Sequence, residues 1–113
     1  MHLAEKGILI KLKNKNRGNA KLMTAIDRFI FDFEESENIS PDNLHQLRKD
    51  ADKIHSDGIY FFNIHIHRVM LLIEFSQNRA VVLWSGSHDE YINKFKNNKD
   101  TIEKWLRANQ HIQ

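Results

Sequence analysis

The residues best equipped for chemistry stand together at Ser87-His88-Asp89-Glu90-Tyr91, where an imidazole, two carboxylates and a phenol occur in one short run. These groups can donate protons, accept them and hydrogen-bond a polar ligand. They follow directly on an apolar-rich stretch that begins at Tyr60. They are therefore expected where a strand ceases to be buried, which is where small sheet proteins present functional groups. A second grouping is His65-Ile66-His67, whose imidazoles share one face if a strand runs straight through them. With His88 and Asp89 they would form a histidine and carboxylate set suited to a metal ion. The same three residues are also where the chain has to turn, which works against a common ligand face.

The elements that position these groups follow from periodicity. Ile59 to Phe75 is a run of seventeen residues dense in aromatic and branched side chains, longer than one typical strand. A reversal at His65-Ile66-His67 divides it, because histidine tolerates the left-handed conformation of a tight hairpin. Before the turn, Tyr60, Phe62, Ile64 and Ile66 share one face and Phe61, Asn63, His65 and His67 the other. After it, Val69, Leu71, Ile73 and Phe75 alternate with Arg68, Met70, Leu72 and Glu74. One face is expected to be core and the other to carry polar groups. Ser76-Gln77-Asn78-Arg79 supplies a second turn, with Asn78 suited to positive φ, and Ala80 to Ser85 forms the third strand.

Ahead of the sheet the period changes. Leu22, Ile26, Phe29, Ile30 and Phe33 follow the spacing of one apolar helix face, with Asn19 as its cap. A shorter helix around Ile8 to Asn16 precedes it, and Met1 to Lys6 reads as a short edge strand. Ser40-Pro41 opens a short third helix that turns Leu44 and Leu47 inward, and Asp100 to Ala108 forms a last helix docking through Ile102, Trp105 and Leu106. The order implies an α+β fold, with helices gathered against one face of a small curled antiparallel sheet. Trp84 and Trp105 read as packing residues, as do Tyr60, Phe62 and Phe75.

At 113 residues, residues 1–113 form a single domain. The absence of cysteine removes disulfides and thiolate zinc sites. No signal-like or membrane-spanning apolar run occurs, so the expected location is the cytoplasm. Net charge is only +2, but both ends are basic and the middle is acidic. Residues 1 to 21 carry +5, residues 22 to 57 carry −5, residues 58 to 91 carry −1 and residues 92 to 113 carry +3. Folded onto one side, the two basic ends would make a surface for several phosphates; otherwise they are ordinary solvated helix faces.

Over roughly residues 1 to 95 this pattern resembles the toxins of bacterial HigB-type toxin–antitoxin systems, within the RelE/ParE superfamily. In that family a Phe-Asn-Ile strand leads through a hairpin to an Arg-hydrophobic-hydrophobic strand, and the last strand ends in a Thr-His-x-Glu-Tyr type motif. Phe62-Asn63-Ile64, Arg68-Val69-Met70 and Ser87-His88-Asp89-Glu90-Tyr91 stand at those places. Two departures are visible. The hairpin lacks the family's usual glycines, and residues 96–113 form a helical extension where many members stop soon after Glu-Tyr.

The resemblance implies a small RelE-like fold and an endoribonuclease that cleaves messenger RNA, usually on the translating ribosome, with no metal and no cofactor. It further implies silencing by a HigA-like helix-turn-helix antitoxin, through which alone the toxin would meet operator DNA. Such cleavage needs a base for the ribose 2′-OH, cations for the charge growing on phosphate, and an acid for the departing 5′-oxygen. Arg68 is the expected transition-state stabiliser, because a guanidinium holds two phosphate oxygens at once. His88 and Tyr91 match the motif as candidates for proton transfer or RNA positioning. Lys53 and His55, just before the sheet, are a phosphate contact and a second proton carrier on a looser match. Histidine suits that role because its reference pKa lies near 6.5. Lys94, Lys96 and Lys99 are expected to bind RNA phosphates. The plain alternatives are an ion pair of Arg68 with Glu74 or Glu90, His88 capping a turn, and Tyr91 as a core residue with its hydroxyl at the rim. A gyrase-poisoning toxin of the ParE kind, or an inactive relative kept for its contacts, would use the same fold.

Overall fold

The capped and amphipathic segments become one layer of the molecule, described by a computed structural model that covers residues Met1–Gln113. Strand β1 (His2–Ala4) leads into helix α1 (Gly7–Lys15) and then α2 (Ala20–Glu34). The Asn19 side chain accepts the Leu22 N–H and so satisfies one of the free donors at the start of α2. Leu22, Ile26, Phe29 and Phe33 form its buried face, while Leu9 and Leu12 do the same for α1. At Ser40 and Asn43 each side chain accepts the other's backbone N–H, opening the turn into α3 (Leu44–Leu47).

The sheet has five strands in the order β1-β5-β4-β3-β2, where β2 is Asp52–His55, β3 is Ile59–Ile64, β4 is His67–Glu74 and β5 is Arg79–Ser87. The last four pair antiparallel, and β1 joins β5 in parallel, so the sheet is mixed. The β3–β4 hairpin turns at His65-Ile66 with His65 at φ 59°, and Asn78 takes φ 52° between β4 and β5. Both turns stand where the residue types point. Strand β2 has no sequence signature, because only Ile54 among its four residues is apolar. It is held by its turn: Gly58 sits at φ 87°, and a Cβ there would lie 2.6 Å from the Ile73 carbonyl oxygen.

Two further elements depart from the sequence reading. Ser87-His88-Asp89-Glu90-Tyr91 is not the frayed end of a strand but the start of helix α4 (His88–Phe95). The Ser87 hydroxyl accepts the Glu90 N–H while Glu90 accepts the Ser87 N–H, a complete capping box. Together with α5 (Lys99–Ala108), α4 covers the second face of the sheet, so helices lie on both faces rather than one. The first face buries Tyr60, Phe62, Val69 and Leu71 against α1 and α2. The second buries Ile59, Phe61 and Met70 against Tyr91, Phe95, Ile102 and Leu106. Each such side chain contributes roughly 1.5–3 kcal/mol through removal from water. The two basic ends consequently lie on opposite faces and do not merge into one surface. No helix is long and apolar enough to cross a membrane.

Candidate active site

Arg68 is the centre of the second face's open end. Its Cα partners are Asn63 on β3 and Gly86 on β5, so the side chain rises from a fully paired central strand. The guanidinium carbon lies 4.8 Å from the Phe61 ring centre and 4.5 Å from that of Tyr91, between two aromatic faces that attract a cation. Phe61 and Tyr91 meet edge to face at 5.0 Å, and Phe61, Phe95, Trp84 and Trp105 continue the aromatic contacts behind them. Gly86 matters here: a Cβ at this position would come within 2.7 Å of the Trp84 indole, so only glycine lets the ring close over the strand.

Although so enclosed, Arg68 is poorly satisfied by the protein. Its buried Nε has no hydrogen-bond partner, and the nearest carboxylate oxygen, on Asp52, is 3.8 Å from Nη2, too far for a hydrogen bond. Neither expected ion pair forms, because Glu74 pairs with Arg79 and Glu90 is taken up in the cap. His88 stacks on Tyr91 with centroids 6.2 Å apart and planes 27° apart. The His88 N–H donates to the Ile66 carbonyl at 3.1 Å, tying the first turn of α4 to the hairpin tip. Arg68, His88, Asn63, His65, Ile66 and His67 line one depression of about 470 Å³. Ile66 is 62% exposed at its rim.

Tyr91 is both core and site. Its ring is buried and clamps Arg68, and its hydroxyl donates to Asn97 Oδ1 at 3.0 Å. That bond ties the turn between α4 and α5 to the site, and the turn is framed by the lysines of the extension. Lys94 lies over Trp105 at 5.9 Å, Lys96 closes α4 at φ 54°, and Lys99 begins α5.

The structure does not bring Lys53 and His55 to this depression. Lys53 is exposed on the edge strand opposite Tyr60, a residue of the other face. His55 accepts the Asp57 N–H at Nδ1 and lies 3.8 Å from Glu103, in a cavity of about 820 Å³ shared with Arg107 and His111. The histidine metal set also fails to assemble, since no three His, Asp or Glu side chains converge on one point. Asp52, Phe61 and Asn97 escaped sequence reasoning. The capping box written in Ser87 and Glu90 was the one available signal, since a helix at that point turns Tyr91 back over the sheet.

Electrostatics reinforce the cap. Glu90 is held below the usual carboxylate range, chiefly by the Ser87 backbone N–H. Burial lowers the His67 pKa, because the charged imidazole loses its water.

The five-strand mixed sheet and its helices make a small RelE-like α+β fold. The chain belongs to the HigB toxin family, the RelE-like toxic component of a toxin–antitoxin system, whose family model matches residues 22–94. That span runs from α2 into α4 and contains Arg68, His88 and Tyr91. No curated protein matches the sequence.

Proposed function

We propose that this toxin is a metal-independent endoribonuclease acting on messenger RNA, and that its reaction centre is the depression around Arg68. The observation that supports this most is the state of that arginine: stacked in place by two rings, enclosed, and lacking protein partners for its donors. A buried guanidinium with unused donors is arranged for an oxyanion, because a phosphate supplies the acceptors that the protein withholds.

In the proposed reaction the ribose 2′-oxygen attacks the adjacent phosphorus and the bond to the 5′-oxygen breaks. A 2′,3′-cyclic phosphate and a 5′-hydroxyl result. Arg68 binds the non-bridging oxygens as their charge grows, and His88 at the mouth moves the proton between the 2′-hydroxyl and the departing oxygen. Tyr91 holds both side chains through its ring. Lys94, Lys96 and Lys99 contact flanking phosphates without entering the chemistry. Lys53 is left an outlying phosphate contact, while His55 is engaged by Asp57 and Glu103 at the start of the sheet.

The substrate is messenger RNA on the ribosome, and the silencing partner is a HigA-like helix-turn-helix antitoxin that carries the complex to operator DNA. The test is expression of the chain alone, and of Arg68→Ala and His88→Ala variants, with growth and messenger 5′ ends followed together. The expected result is growth arrest with new 5′ ends for the wild type and neither for folded variants. Arrest without new 5′ ends, accompanied by DNA breaks, would assign the toxin to gyrase instead.

A further inference from the structure

On the first face, between α1 and the ends of β4 and β5, lies a second cavity of about 390 Å³ that the reaction proposed above does not use. Lys11 and Lys15 enter it from α1, His67 from β4, Ser85 and Ser87 from β5, and Glu90 from α4. Lys11 and Lys15 are one helical turn apart and project on the same side of α1. The other lysines of this segment behave differently: Lys6 is paired with Glu34 at 2.8 Å and Lys13 with Asp27 at 2.7 Å, whereas Lys11 and Lys15 are in no ion pair. Of the four lysines from Lys6 to Lys15, the two left free are therefore the two that face the cavity.

Its floor is unusual. His67 is 7% exposed, and its Nδ1 has no hydrogen-bond partner; the Ser85 hydroxyl is buried and also without one. A buried polar atom without a partner costs about 1–3 kcal/mol, so two of them in one cavity mark a place where a polar ligand completes the set. The charge selects the sign of that ligand. Glu90 is the only carboxylate in the lining, and one of its oxygens is occupied by the Ser87 N–H at 2.9 Å. Against two lysines it leaves the cavity cationic. Ammonium groups, a hydroxyl and an imidazole N–H together present the donors that a tetrahedral oxyanion accepts.

Position selects the source. His67 lines both this cavity and the Arg68 depression, so the two basins share a wall at the start of β4, where adjacent residues face opposite sides of the sheet. We propose that the cavity is a second phosphate site, in which Lys11, Lys15, His67 and Ser85 hold a phosphodiester flanking the one cleaved at Arg68. The RNA strand then passes over the end of β4, with one phosphate on each side. The identity of the strand rests on the ribonuclease reading; the phosphate site itself is read on the protein alone.

The test has two arms. In the first, ¹⁵N-imidazole spectra of His67 are followed as inorganic phosphate is added to the intact chain. A saturable shift at Nδ1 is expected, weakened at least several-fold in Lys11→Ala/Lys15→Ala and in Ser85→Ala. Because the Ser85 hydroxyl has no protein partner, Ser85→Ala should leave the melting temperature unchanged or raised, which separates loss of a site from loss of fold. An unresponsive His67 means that solvent alone satisfies the cavity and overturns the proposal. In the second arm, affinity for a short single-stranded RNA is measured against salt. The lysine double variant should bind about 10-fold more weakly, with the log–log salt slope smaller by about 0.7, the release expected for one phosphate. A phosphate response with an unchanged RNA slope would assign the cavity to free phosphate and overturn the RNA assignment. Failure of the wild type to cleave RNA would sink the ribonuclease reading while leaving the His67 arm interpretable.

Discussion

Two arginines of this molecule are buried to the same degree and partnered in opposite ways. Arg48 and Arg68 have side chains 15% and 16% exposed, and each stacks on aromatic rings, Arg48 on Phe29 at 5.2 Å and Arg68 on Phe61 and Tyr91. Arg48 spends its donors inside the protein. Nε and Nη2 form a bidentate pair with Asp50 at 2.9 and 2.7 Å, Nη1 reaches Asp32 at 3.3 Å, and Nη2 also donates to the Asn63 carbonyl at 2.7 Å. Arg68 has only a distant Asp52. The difference teaches that enclosure alone does not decide what an arginine is free to bind; enclosure without protein acceptors is what leaves the Arg68 donors open to a ligand. Arg48 staples α2 and the segment before β2 to the hairpin, and Arg68 waits at the end of a sheet already held in place by its neighbours.

Substitution should split the pair cleanly. Arg68→Ala is expected to reduce messenger cleavage by about 10²–10³-fold, the scale for loss of one preorganised oxyanion donor, with a small change in melting temperature. Arg48→Ala should do the reverse. It leaves Asp32, itself buried, without its inward cation, and should cost about 3 kcal/mol in urea unfolding, while residual folded protein keeps its specific activity. Equal activity losses in the two folded variants would erase the distinction. Arg68→Lys sharpens it, because an ammonium retains the charge but loses the planar stack and the fork, so activity should stay well below wild type.

Much of this arrangement was legible in the residues, and the illegible parts have identifiable causes. The α2 stripe, the His65 and Asn78 turns and the Phe61-to-Met70 hairpin follow from local pattern, where period and turn chemistry act within a few residues. Sharing a face with Asn63 and Arg68 points Phe61 and Met70 to a polar side of the sheet, yet both are fully buried. Their burial depends on α4 and α5, whose docking is a long-range event. The strand β2 has too few apolar residues to announce itself and depends on the Gly58 turn. Arg68, His88 and Tyr91 lie together at one end of the second face, whereas His55, close to the sheet in sequence, is carried by the bulged β2–β3 pairing toward α5.

Tyr91 tests whether the clamp or the hydroxyl matters. Tyr91→Phe keeps the ring over Arg68 and loses only the bond to Asn97, so stability should fall by about 1 kcal/mol and cleavage by less than about 10-fold. Tyr91→Ala removes the ring from both Arg68 and the core, and should cost about 3–5 kcal/mol as well as activity. A Tyr91→Phe protein as inactive as Arg68→Ala would move the hydroxyl into the chemistry and make the clamp incidental.

The smallest expected effect is a pH dependence of stability that separates the two ends of the site. His67 has its pKa lowered below 6.5, mainly by burial, with Glu90 opposing and His65 adding to the shift. The folded state therefore resists protonation that the unfolded chain accepts near 6.5. Stability is full above that value and declines as pH falls from 6.5 to the lower folded pKa, since the unfolded chain binds more protons throughout that window. His111, also lowered by burial, contributes with the same sign. Glu90 acts in a separate window, below 4.5, where protonation releases the cap at Ser87. Urea unfolding at pH 7.5 and 5.5 should thus show a loss for the wild type and a smaller loss for His67→Gln, while Arg68→Ala follows the wild type. An identical decline in the wild type and His67→Gln would show that the imidazole is solvated in the folded chain, and that the wall between the two basins is open to water.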